Sequence, residues 1–526
     1  MPSPPVRLSE LVASLALATD LGLGLPEEHV LRQTIIADRV AAAAGMTDHM
    51  RAATFYVSLL AWVGCIADSH ELAHWFGDDT QLRADSYRLD RIGTPMLRFL
   101  LENVAAGEPP LRRLTMIGRF LATGVREAQA LFLGHCQTAG IIAERLGVGA
   151  EVRAALPQAF ERWDGRGVPG ALQGGQIDLA MRVVQLANEA EPAHRVGGVT
   201  AAVTLLRDRR GGELDPTLVE LCCAHAEAIF DGIDSVDTWT SVIDGCAVLD
   251  RELPEPELTS VLEVLADYAD LKSPWFLGQS RAAAALATAA GHAAGLPTAD
   301  LTMLSRAALI CRIGRVGVST GIWDKPGPLS AFERERVRTV PYLTERILCR
   351  QPRLAEIAMI AGMCYERMDG SGYPRGLAGS AIPMSGRLLA AADVYQAAGE
   401  DRPHRPALTW PERKALLQGE VAAGRLDADA VRAVLGAAGH HVGRRSTQVA
   451  GLTAREVEVL ALLVRGWSNR QIAAHLHISR RTAGSHIEHI FAKTGVATRG
   501  AAAMFAMRHG LVGPEPPEER SGERPM

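Results

Sequence analysis

Apolar residues recur at intervals of three and four along most of the chain, which is the period of an amphipathic helix. The pattern predicts helices over the segments 30–44, 52–66, 141–146, 180–190, 282–294, 302–313, 354–363 and 385–398. No stretch alternates convincingly with a period of two, so the sequence predicts no β-strands. Loops rich in Gly and Pro, such as DGSGYPRG, interrupt the helices. The predicted fold class is therefore all-α.

One loop sequence occurs twice. ERWDGRGVPGALQGGQI begins at Glu161 and ERMDGSGYPRGLAGSAI begins at Glu366, so the two copies are offset by 205 residues. Upstream of the loop the offset is 250, as between Gly45 and Gly295, which places an insertion of 45 residues in the first copy near 67–134. Similarity at a fixed offset indicates duplicated structural units. The sequence therefore predicts two related helical units.

The predicted boundaries divide the chain into two units, a small third domain and their connections. The segments are 1–230 (first unit), 231–257 (linker), 258–440 (second unit), 441–450 (linker), 451–512 (small domain) and 513–526, a tail rich in Pro and Glu that we expect to be disordered.

Composition narrows the class of protein. Among 526 residues there are 55 Lys and Arg against 60 Asp and Glu, a net charge of −5, and 48% of residues are hydrophobic. These values are ordinary for a globular chain and exclude a disordered protein or a uniformly basic nucleic-acid coat. No window holds 18 consecutive apolar residues, and Glu10 and Asp20 interrupt the apolar N-terminus. The eight cysteines form no C-x-x-C pair, so we expect a reduced, soluble, cytoplasmic protein without membrane association.

The second unit resembles the HD-GYP branch of the HD phosphohydrolase superfamily. The resemblance rests on YERMDGSGYPRGL and LICRIGRVGV, and ADLKSPWFLGQSRAAAALA and IWDKPGPLS strengthen it. It covers most of 260–440 closely and 6–230 more distantly through the repeat. The resemblance implies an all-helical fold with a centre of two or three metal ions that hydrolyses cyclic di-GMP.

Most metal-ligand positions that the resemblance implies carry other residues. In the second unit they hold Gln279, Cys311, Arg312, Val340, Cys364, Tyr365 and Asp393. Through the repeat, the first unit places His29, Ala61, Trp62, His135, Ala159, Phe160 and Asn188 there. A hard-metal centre needs more oxygen and nitrogen donors in one place. We therefore expect both units to be catalytically inactive, without a metal cofactor, and the chain not to be an enzyme.

The former ligand positions and the surviving residues of the loop motif together define a degenerate pocket in the second unit. Its members are Gln279, Cys311, Arg312, Cys364, Tyr365, Asp369, Gly372, Tyr373 and Asp393. The loop members have two interpretations: turn chemistry alone, or a retained pocket that binds a nucleotide or another small ligand without cleaving it.

Two contacts in this pocket can be predicted. Arg312 and Asp393 occupy positions that would converge on one metal ion, so we predict a salt bridge between them. Cys311 and Cys364 are expected to face each other, either as inert buried thiols or as a redox or soft-metal switch. In the first unit, a polar cluster is expected to be a solvated loop; its members are Asp68, His70, Glu71, Asp78 and Asp79.

The small domain differs from the rest of the chain in charge. Residues 451–512 hold eight Lys or Arg against three Glu, which is the electrostatic footprint of phosphate binding. Caps at Thr453, Ser468, Ser479 and Thr498 predict four helices, the second over 469–476 and the third over 480–494. Two short helices around a tight turn form a helix-turn-helix.

The segment GLTAREVEVLALLVRGWSNRQIAAHLHISRRTAGSHIEHIFAKTGVATRGAAAMFAMRHGLV resembles the LuxR-type helix-turn-helix over its full length. The resemblance implies a third helix in the major groove and a fourth helix often used for dimerisation. We assign seven residues of the third helix to the DNA contact: Arg480, Arg481, Thr482, Ser485, His486, His489 and Lys493. A solvated helix face is the alternative, and the Arg480-Arg481 pair favours DNA.

The sequence thus predicts a transcriptional regulator that binds double-stranded DNA as a homodimer. Its HD-GYP-like units would be inactive modules for sensing or oligomerisation, and a small-molecule or nucleotide ligand for them is left open. The alternative is a cyclic di-GMP phosphodiesterase coupled to a DNA-binding domain. A structural scaffold with a vestigial DNA-binding domain is disfavoured by the intact caps and basic residues of 451–512.

Overall fold

The computed structural model describes residues 5–87, 89, 94–245, 250–440 and 449–512, and it describes 125–130 and 440 by their backbone alone. The chain is 71% helical, and these residues form no strand. The predicted all-α fold class is therefore confirmed. The predicted tail 513–526 and most of the predicted linker 441–450 lie outside the described residues.

The first unit is built from twelve α-helices within the described ranges. They are α1 (Leu8–Leu23), α2 (His29–Ala43), α3 (Asp48–Leu60), α4 (Ser69–Phe76), α5 (Asp79–Ser86), α6 (Thr94–Asn103), α7 (Pro110–Leu146), α8 (Ala150–Ala155), α9 (Leu179–Asp208), α10 (Pro216–Ala224), α11 (Ala226–Phe230) and α12 (Thr238–Gly245). The segment predicted as an insertion holds α4, α5, α6 and the first two thirds of α7. α9 is kinked at Gly197 and Gly198, whose backbone angles are not helical.

The second unit and the small domain continue the helical chain. The second unit contains α13 (Glu255–Asp270), α14 (Gln279–Ala293), α15 (Thr298–Ile310), α16 (Thr320–Trp323), α17 (Ala331–Arg338), α18 (Val340–Leu348), α19 (Pro352–Ala361), α20 (Met384–Ala398), α21 (Trp410–Ala422) and α22 (Ala428–His440). The small domain contains α23 (Ala454–Val464), α24 (Asn469–His475), α25 (Arg480–Thr494) and α26 (Arg499–Arg508). The periodic segments of the sequence fall on α2, α3, α7, α9, α14, α15, α19 and α20.

The segment 231–257 is more than a linker, which corrects the sequence-based boundary. It contains α12, whose Trp239, Val242 and Ile243 are buried against the first unit, where α12 packs on α2. Spacing of three and four residues between these apolar side chains favours a packed helix over a free connection. α13 also begins at Glu255, a little before the predicted start of the second unit.

The two units share buried contacts as well as one apolar core. α1 packs against the 3-10 turn Ile313–Gly317 of the second unit. Between the units, Lys272 Nζ lies 2.7 Å from Asp79 Oδ2, and both side chains are fully buried. Burial alone would raise the pKa of Asp79, but Lys272 and Arg83 hold it below its usual value. The expectation of a solvated loop is therefore wrong for Asp79, because its carboxylate is needed as the counter-charge of Lys272.

The small domain is docked on the first unit. α26 packs against α7, and the Oε1 of Gln137 accepts hydrogen bonds from the Ala497 N–H and the Thr498 hydroxyl, both at 3.1 Å. A Cβ added at Gly500 would lie 2.8 Å from the Cβ of Ala67, so the two backbones approach closely. His70 borders Gly466, and its Nδ1 donates a 2.6 Å hydrogen bond to the Oδ2 of Asp324 in the second unit. The small domain therefore contacts the region where the two units meet.

One described segment, Asp48–Phe76, is long and apolar enough to cross a membrane, but 78% of its most apolar window is buried inside the protein.

Candidate functional site

The repeated loop of the second unit is held in shape by Glu366. Its Oε1 accepts a hydrogen bond from the Arg375 N–H at 2.8 Å, and its Oε2 accepts one from the Leu377 N–H at 2.9 Å. Gly372 must be small, because a Cβ there would lie 2.4 Å from the backbone nitrogen of Arg367. These contacts fold the loop back onto the start of its own motif.

Two loop residues assigned to the predicted pocket have different surroundings. Asp369 is exposed, and it accepts hydrogen bonds from the N–H and the hydroxyl of Ser371, so its hydrogen bonds stay within the loop. Tyr373 instead stacks on Tyr365, with ring centroids 5.3 Å apart and an interplanar angle of 8°. The structure therefore brings Tyr373 to the pocket and leaves Asp369 as a turn residue.

The buried centre of this pocket is the Arg312–Asp393 pair. Arg312 is completely buried, and its Nη2 donates to Asp393 Oδ1 in a salt bridge, which confirms the predicted contact. Burial alone would lower the pKa of Arg312, but the Asp393 carboxylate raises it above its usual value. The Nε and Nη1 of Arg312 have no hydrogen-bond partner in the described part of the chain.

Arg315 is a pocket residue that the sequence analysis missed. It is 4% exposed, its Nη1 donates to Gln279 Oε1 at 3.0 Å, and its guanidinium lies 3.8 Å from the ring centroid of Phe276. Its Nε also lacks a hydrogen-bond partner among the described residues. The available signal was its position three residues after Arg312, one turn further along the same motif.

Acidic groups beside the two arginines only partly balance them. Asp270 Oδ1 lies 3.8 Å from Arg315 Nη1, and burial raises the pKa of Asp270 to about 7. Glu400 is also nearby, and burial raises the pKa of its carboxyl. Burial therefore disfavours the charged form of both carboxyls beside the two arginines.

The two cysteines of the pocket are buried and in contact. A hydrogen bond between the thiols lowers the pKa of Cys311 and raises that of Cys364, and both are unoxidised. The predicted facing of the two side chains is confirmed, whereas the choice between inert thiols and a switch stays a prediction.

The metal centre that the family resemblance implies does not fit these donors. The guanidinium of Arg312 lies where the resemblance implies a metal ligand, and it forms a salt bridge with Asp393. The side chain of Val340 has no atom that can bind a metal ion. Within the described ranges, no group of three or more His, Cys, Asp or Glu side chains is arranged to hold a metal ion.

In the first unit, residues at the corresponding metal-ligand positions take part in a hydrogen-bond network. The Tyr87 hydroxyl lies 2.6 Å from His29 Nε2 and donates to Asn188 Oδ1 at 2.6 Å, while His29 Nδ1 lies 2.6 Å from Glu191 Oε2. Burial alone would raise the pKa of Glu191, but His29 and neighbouring arginines lower it to about 2. His135 Nε2 bonds the Ala61 carbonyl oxygen at 2.8 Å. Tyr87 comes from the insertion, so the motif alone could not identify it.

The candidate DNA-binding surface lies on α25. The Ser479 hydroxyl accepts a hydrogen bond from the Thr482 N–H at 3.0 Å, and the predicted caps at Thr453, Ser468 and Thr498 are also present. Ala483, Ile487 and Ile490 are buried against the domain. The residues assigned to DNA are exposed except for His486, which is half-buried; the exposed ones are Arg480, Arg481, Thr482, Ser485, His489 and Lys493.

Lys493 has a protein partner that the sequence analysis did not predict. Its Nζ lies 2.9 and 2.7 Å from the two carboxylate oxygens of Glu456, the residue that completes the capping box of α23. Burial alone would raise the pKa of Glu456, but Lys493 and the cap hydrogen bonds lower it to about 2. Part of the Lys493 charge is therefore neutralised before any DNA binds.

Comparison with known families identifies a domain within the second unit and the small C-terminal domain. Residues 263–430 match the HD domain family, and residues 450–506 match the bacterial regulatory proteins of the luxR family. The chain therefore carries an HD domain followed by a LuxR-type DNA-binding domain, as the two resemblances implied.

Several relatives of the chain are named phosphodiesterases. The chain is 27% identical over 417 residues to 3'3'-cGAMP-specific phosphodiesterase 3 of Vibrio cholerae, covering 78% of this chain and 90% of that protein. It is 33% identical over 165 residues to the cyclic di-GMP phosphodiesterase response regulator RpfG of Xanthomonas campestris, covering 31% of this chain and 43% of that protein. The crystal structure of a cyclic GMP-AMP-specific phosphodiesterase of V. cholerae has the same fold, with a TM-score of 0.58 and 24% identity over 83% of this chain and 99% of that one.

These relatives correct one expectation. The loss of metal ligands in both units led us to expect that the chain is not an enzyme, and this is contradicted because its relatives are named phosphodiesterases. The regulator role is supported by the LuxR-type domain.

Proposed function

From a chain that joins an HD domain to a LuxR-type DNA-binding domain, we propose a transcription regulator whose HD half is a cyclic-dinucleotide phosphodiesterase-type module. One observation carries the proposal: the HD half aligns with 90% of the length of a V. cholerae 3'3'-cGAMP phosphodiesterase, and the chain then continues into a DNA-binding domain. The ligand class is therefore a cyclic dinucleotide, and its binding would be communicated to DNA.

The charge of the second-unit pocket supports recognition of a phosphodiester. Arg312 and Arg315 together hold three N–H-bearing nitrogens without hydrogen-bond partners among the described residues. Guanidinium groups match phosphate oxygens in geometry and charge, and leaving their donors unsatisfied in a buried site is costly. Tyr365, which lies beside both guanidinium groups, stacks on Tyr373 and adds an aromatic wall to this place.

The exposed face of α25 supports the DNA-binding half of the proposal. Arg480, Arg481 and Lys493 would contact mainly phosphates, while Ser485, His486 and His489 would reach base edges in the major groove. Because one short helix covers few base pairs, tight binding would require a homodimer on two spaced half-sites. We place this activity in the cytoplasm, where the DNA is.

Binding and turnover of cyclic dinucleotides by the full chain test the proposal. Calorimetry with cyclic di-GMP and 3'3'-cGAMP should show saturable binding, and chromatography of the same mixtures reports any linear dinucleotide formed. Arg315→Gln should weaken binding at least about tenfold, or about 1.4 kcal/mol. Arg432→Gln, at a side chain that is 77% exposed on α22, is the matched control and should leave binding unchanged.

The outcomes separate recognition from catalysis. Saturable binding with linear product supports both parts of the proposal, and binding without product supports recognition alone. Failure of both dinucleotides to bind, or equal weakening by Arg315→Gln and Arg432→Gln, would refute it. A gel-shift titration of DNA that the chain binds, with and without the dinucleotide, then tests whether dinucleotide binding changes the affinity for DNA.

A further inference from the structure

The first unit contains a small cavity at the positions where its repeat partner has the degenerate pocket. The cavity has a volume of about 50 Å³. Three aromatic side chains, Trp62, Phe132 and Phe160, form part of its wall, and Glu161 and Gln185 contribute polar groups. At about 10–15 Å³ for each water, this space holds several waters or a head group of a few heavy atoms, so that only one edge of a nucleotide base could enter it.

Glu161, which lines this cavity, has one carboxylate oxygen without a hydrogen-bond partner among the described residues. The residue is 3% exposed, and its Oε1 accepts a hydrogen bond from the Ala171 N–H at 3.0 Å. Its Oε2 is buried and accepts no hydrogen bond within the described residues. In the second copy of the loop both oxygens of Glu366 are bonded to backbone N–H groups. The carboxylate of Glu366 therefore only shapes its loop, whereas that of Glu161 has one oxygen that can still accept a hydrogen bond.

The charges around the cavity indicate a ligand that donates hydrogen bonds. Glu189 and Glu213, which also line it, are paired with Arg209. The lining Arg162 is paired with Asp164 and Glu213. Glu161 has no salt bridge to any residue that the structure describes, so it is the carboxylate without a counter-charge. A buried acceptor that lacks a donor costs about 1–3 kcal/mol, and a donor supplied by a ligand would recover this energy.

The aromatic wall indicates that the donor is planar. Phe160 packs against Phe132 with ring centroids 4.6 Å apart, and against Trp62 with centroids 6.0 Å apart. Flat cations and flat bases bind favourably against such rings. We propose that this cavity is an effector site for a planar group with paired N–H donors, either a guanidinium head or the amide–amino edge of a guanine base, held by Glu161 beside Phe160.

A short stretch of α7 connects this cavity to the DNA-binding domain. Phe132 lines the cavity, and the His135 ring packs on Phe160 with centroids 4.7 Å apart. On the other side of the helix, Gln137 holds the first turn of α26 through Ala497 and Thr498. A ligand that shifts Phe160 therefore acts within two helical turns of the contact that docks the DNA-binding domain.

Calorimetry on the full chain tests the site with methylguanidinium chloride and with GMP as probes. AMP is the negative control, because adenine lacks the paired N–H edge of guanine. Glu161→Gln should weaken binding at least about tenfold, since it removes the charge and places an amide donor at the free position. Glu102→Gln, at a side chain of the same unit that is 58% exposed and does not line the cavity, is the matched control and should leave binding unchanged. Glu161→Asp, which keeps the charge on a shorter side chain, checks the result independently of any folding defect in Glu161→Gln.

The pattern of binding decides the source of the ligand and the validity of the site. Binding of methylguanidinium alone assigns a guanidinium compound, and binding of GMP without AMP assigns a guanine base. No binding of either probe, or equal binding by wild type, Glu161→Gln and Glu161→Asp, would overturn the site. Cyclic dinucleotides are absent from this test, so its failure is separate from a failure of the function proposed above.

DNA titrations test the connection through α7. Saturating ligand should change the DNA dissociation constant of the wild type at least about threefold, or about 0.65 kcal/mol. The same ligand should have no effect on Gln137→Ala, which still binds the probe but no longer holds the start of α26. A ligand that binds tightly and leaves wild-type DNA affinity unchanged would overturn the effector role.

Discussion

At the scale of single residues, Arg312 shows how one side chain changes a buried site. A guanidinium stands where the family resemblance implies a metal ligand, and it binds Asp393 directly. The fixed positive charge thus takes the place that a dication would have beside this carboxylate. Because the charge belongs to the chain, it is present in every folded molecule and cannot be removed by a chelator.

The first prediction concerns this pair. Asp393→Ala leaves a buried cation without its counter-charge and should lower the free energy of unfolding by about 3–5 kcal/mol. The double variant Arg312→Met with Asp393→Ala removes both charges and should lose clearly less. Urea unfolding followed by circular dichroism measures both effects. A single variant as stable as the wild type would contradict the importance of the pair.

Sequence reasoning reached some site residues and missed others for a physical reason. Arg312 and Asp393 could be paired because the family motif assigns both positions to one centre. Arg315, Glu161 and Tyr87 gain their roles from contacts with segments far away in the chain, such as Gln279 for Arg315. No local pattern records which distant segment will lie beside a side chain.

At the scale of helices, α25 has one unusual residue, Gly484. Its Cα is open to substitution, because an added Cβ would meet only the Asn469 side chain at 3.7 Å. Glycine costs about 1 kcal/mol relative to alanine inside a helix. This glycine therefore lies among the residues that we propose to contact DNA, at the expense of helix stability.

The second prediction follows from Gly484. Gly484→Ala should raise the stability of the domain by about 0.5–1 kcal/mol. Gly495→Ala is the contrasting variant, since Gly495 ends α25 with a φ of 71° and should lose about 1 kcal/mol. Differential scanning calorimetry of the full chain measures both. Equal shifts in the same direction would show that backbone freedom is not what distinguishes the two positions.

The third prediction separates the basic side chains of α25. Arg481→Gln removes an exposed charge and should lower the slope of log K against log salt by about 0.9, equally for all DNA sequences. Lys493→Gln should have a smaller effect on the slope, because Glu456 already neutralises part of that charge. Fluorescence anisotropy at several salt concentrations measures the slopes. A larger effect of Lys493→Gln would show that its bond to Glu456 breaks on DNA.

Helices with strong local signals were predicted well. The caps of α24, α25 and α26 are set by Ser468, Ser479 and Thr498, each within three residues of the N–H it bonds, so the sequence contains the whole interaction. α12 was missed inside a predicted linker because its stability depends on packing against α2, about two hundred residues earlier. Local chemistry could be read from the sequence, whereas tertiary packing could not.

At the scale of the whole molecule, His70 connects three parts of the chain. It belongs to the first unit, it is hydrogen-bonded to Asp324 of the second, and it borders Gly466 of the DNA-binding domain. Burial alone would lower its pKa, but Asp324 and Glu71 raise it above the usual value, against an opposing effect of Arg499. The protonated imidazole is therefore favoured in the folded, docked state.

The fourth prediction is a pH dependence of this junction. Because the folded-state pKa is raised, the contribution of His70 to stability is complete below about pH 6.5, its unfolded value, and is lost as pH rises through the folded-state pKa. His70→Gln should therefore destabilise the protein more at low pH than at high pH. Urea unfolding of wild type and variant across this range measures the difference. A difference independent of pH would assign His70 a packing role alone.

The HD domain and the LuxR-type domain were predictable from the sequence, but their contacts with the first unit were not. The repeat and the charge of 451–512 marked the parts from the sequence. The contacts that join them, such as Gln137 with Thr498, connect residues 361 positions apart.

The buried pair of Asp79 and Lys272 has a consequence for work with fragments of the chain. Asp79 belongs to the predicted insertion of the first unit and Lys272 belongs to the second unit, so each unit holds the counter-charge of the other. A fragment that contains one unit alone would leave a charged side chain without the partner with which the full chain buries it. The two units should therefore be produced together, as one polypeptide.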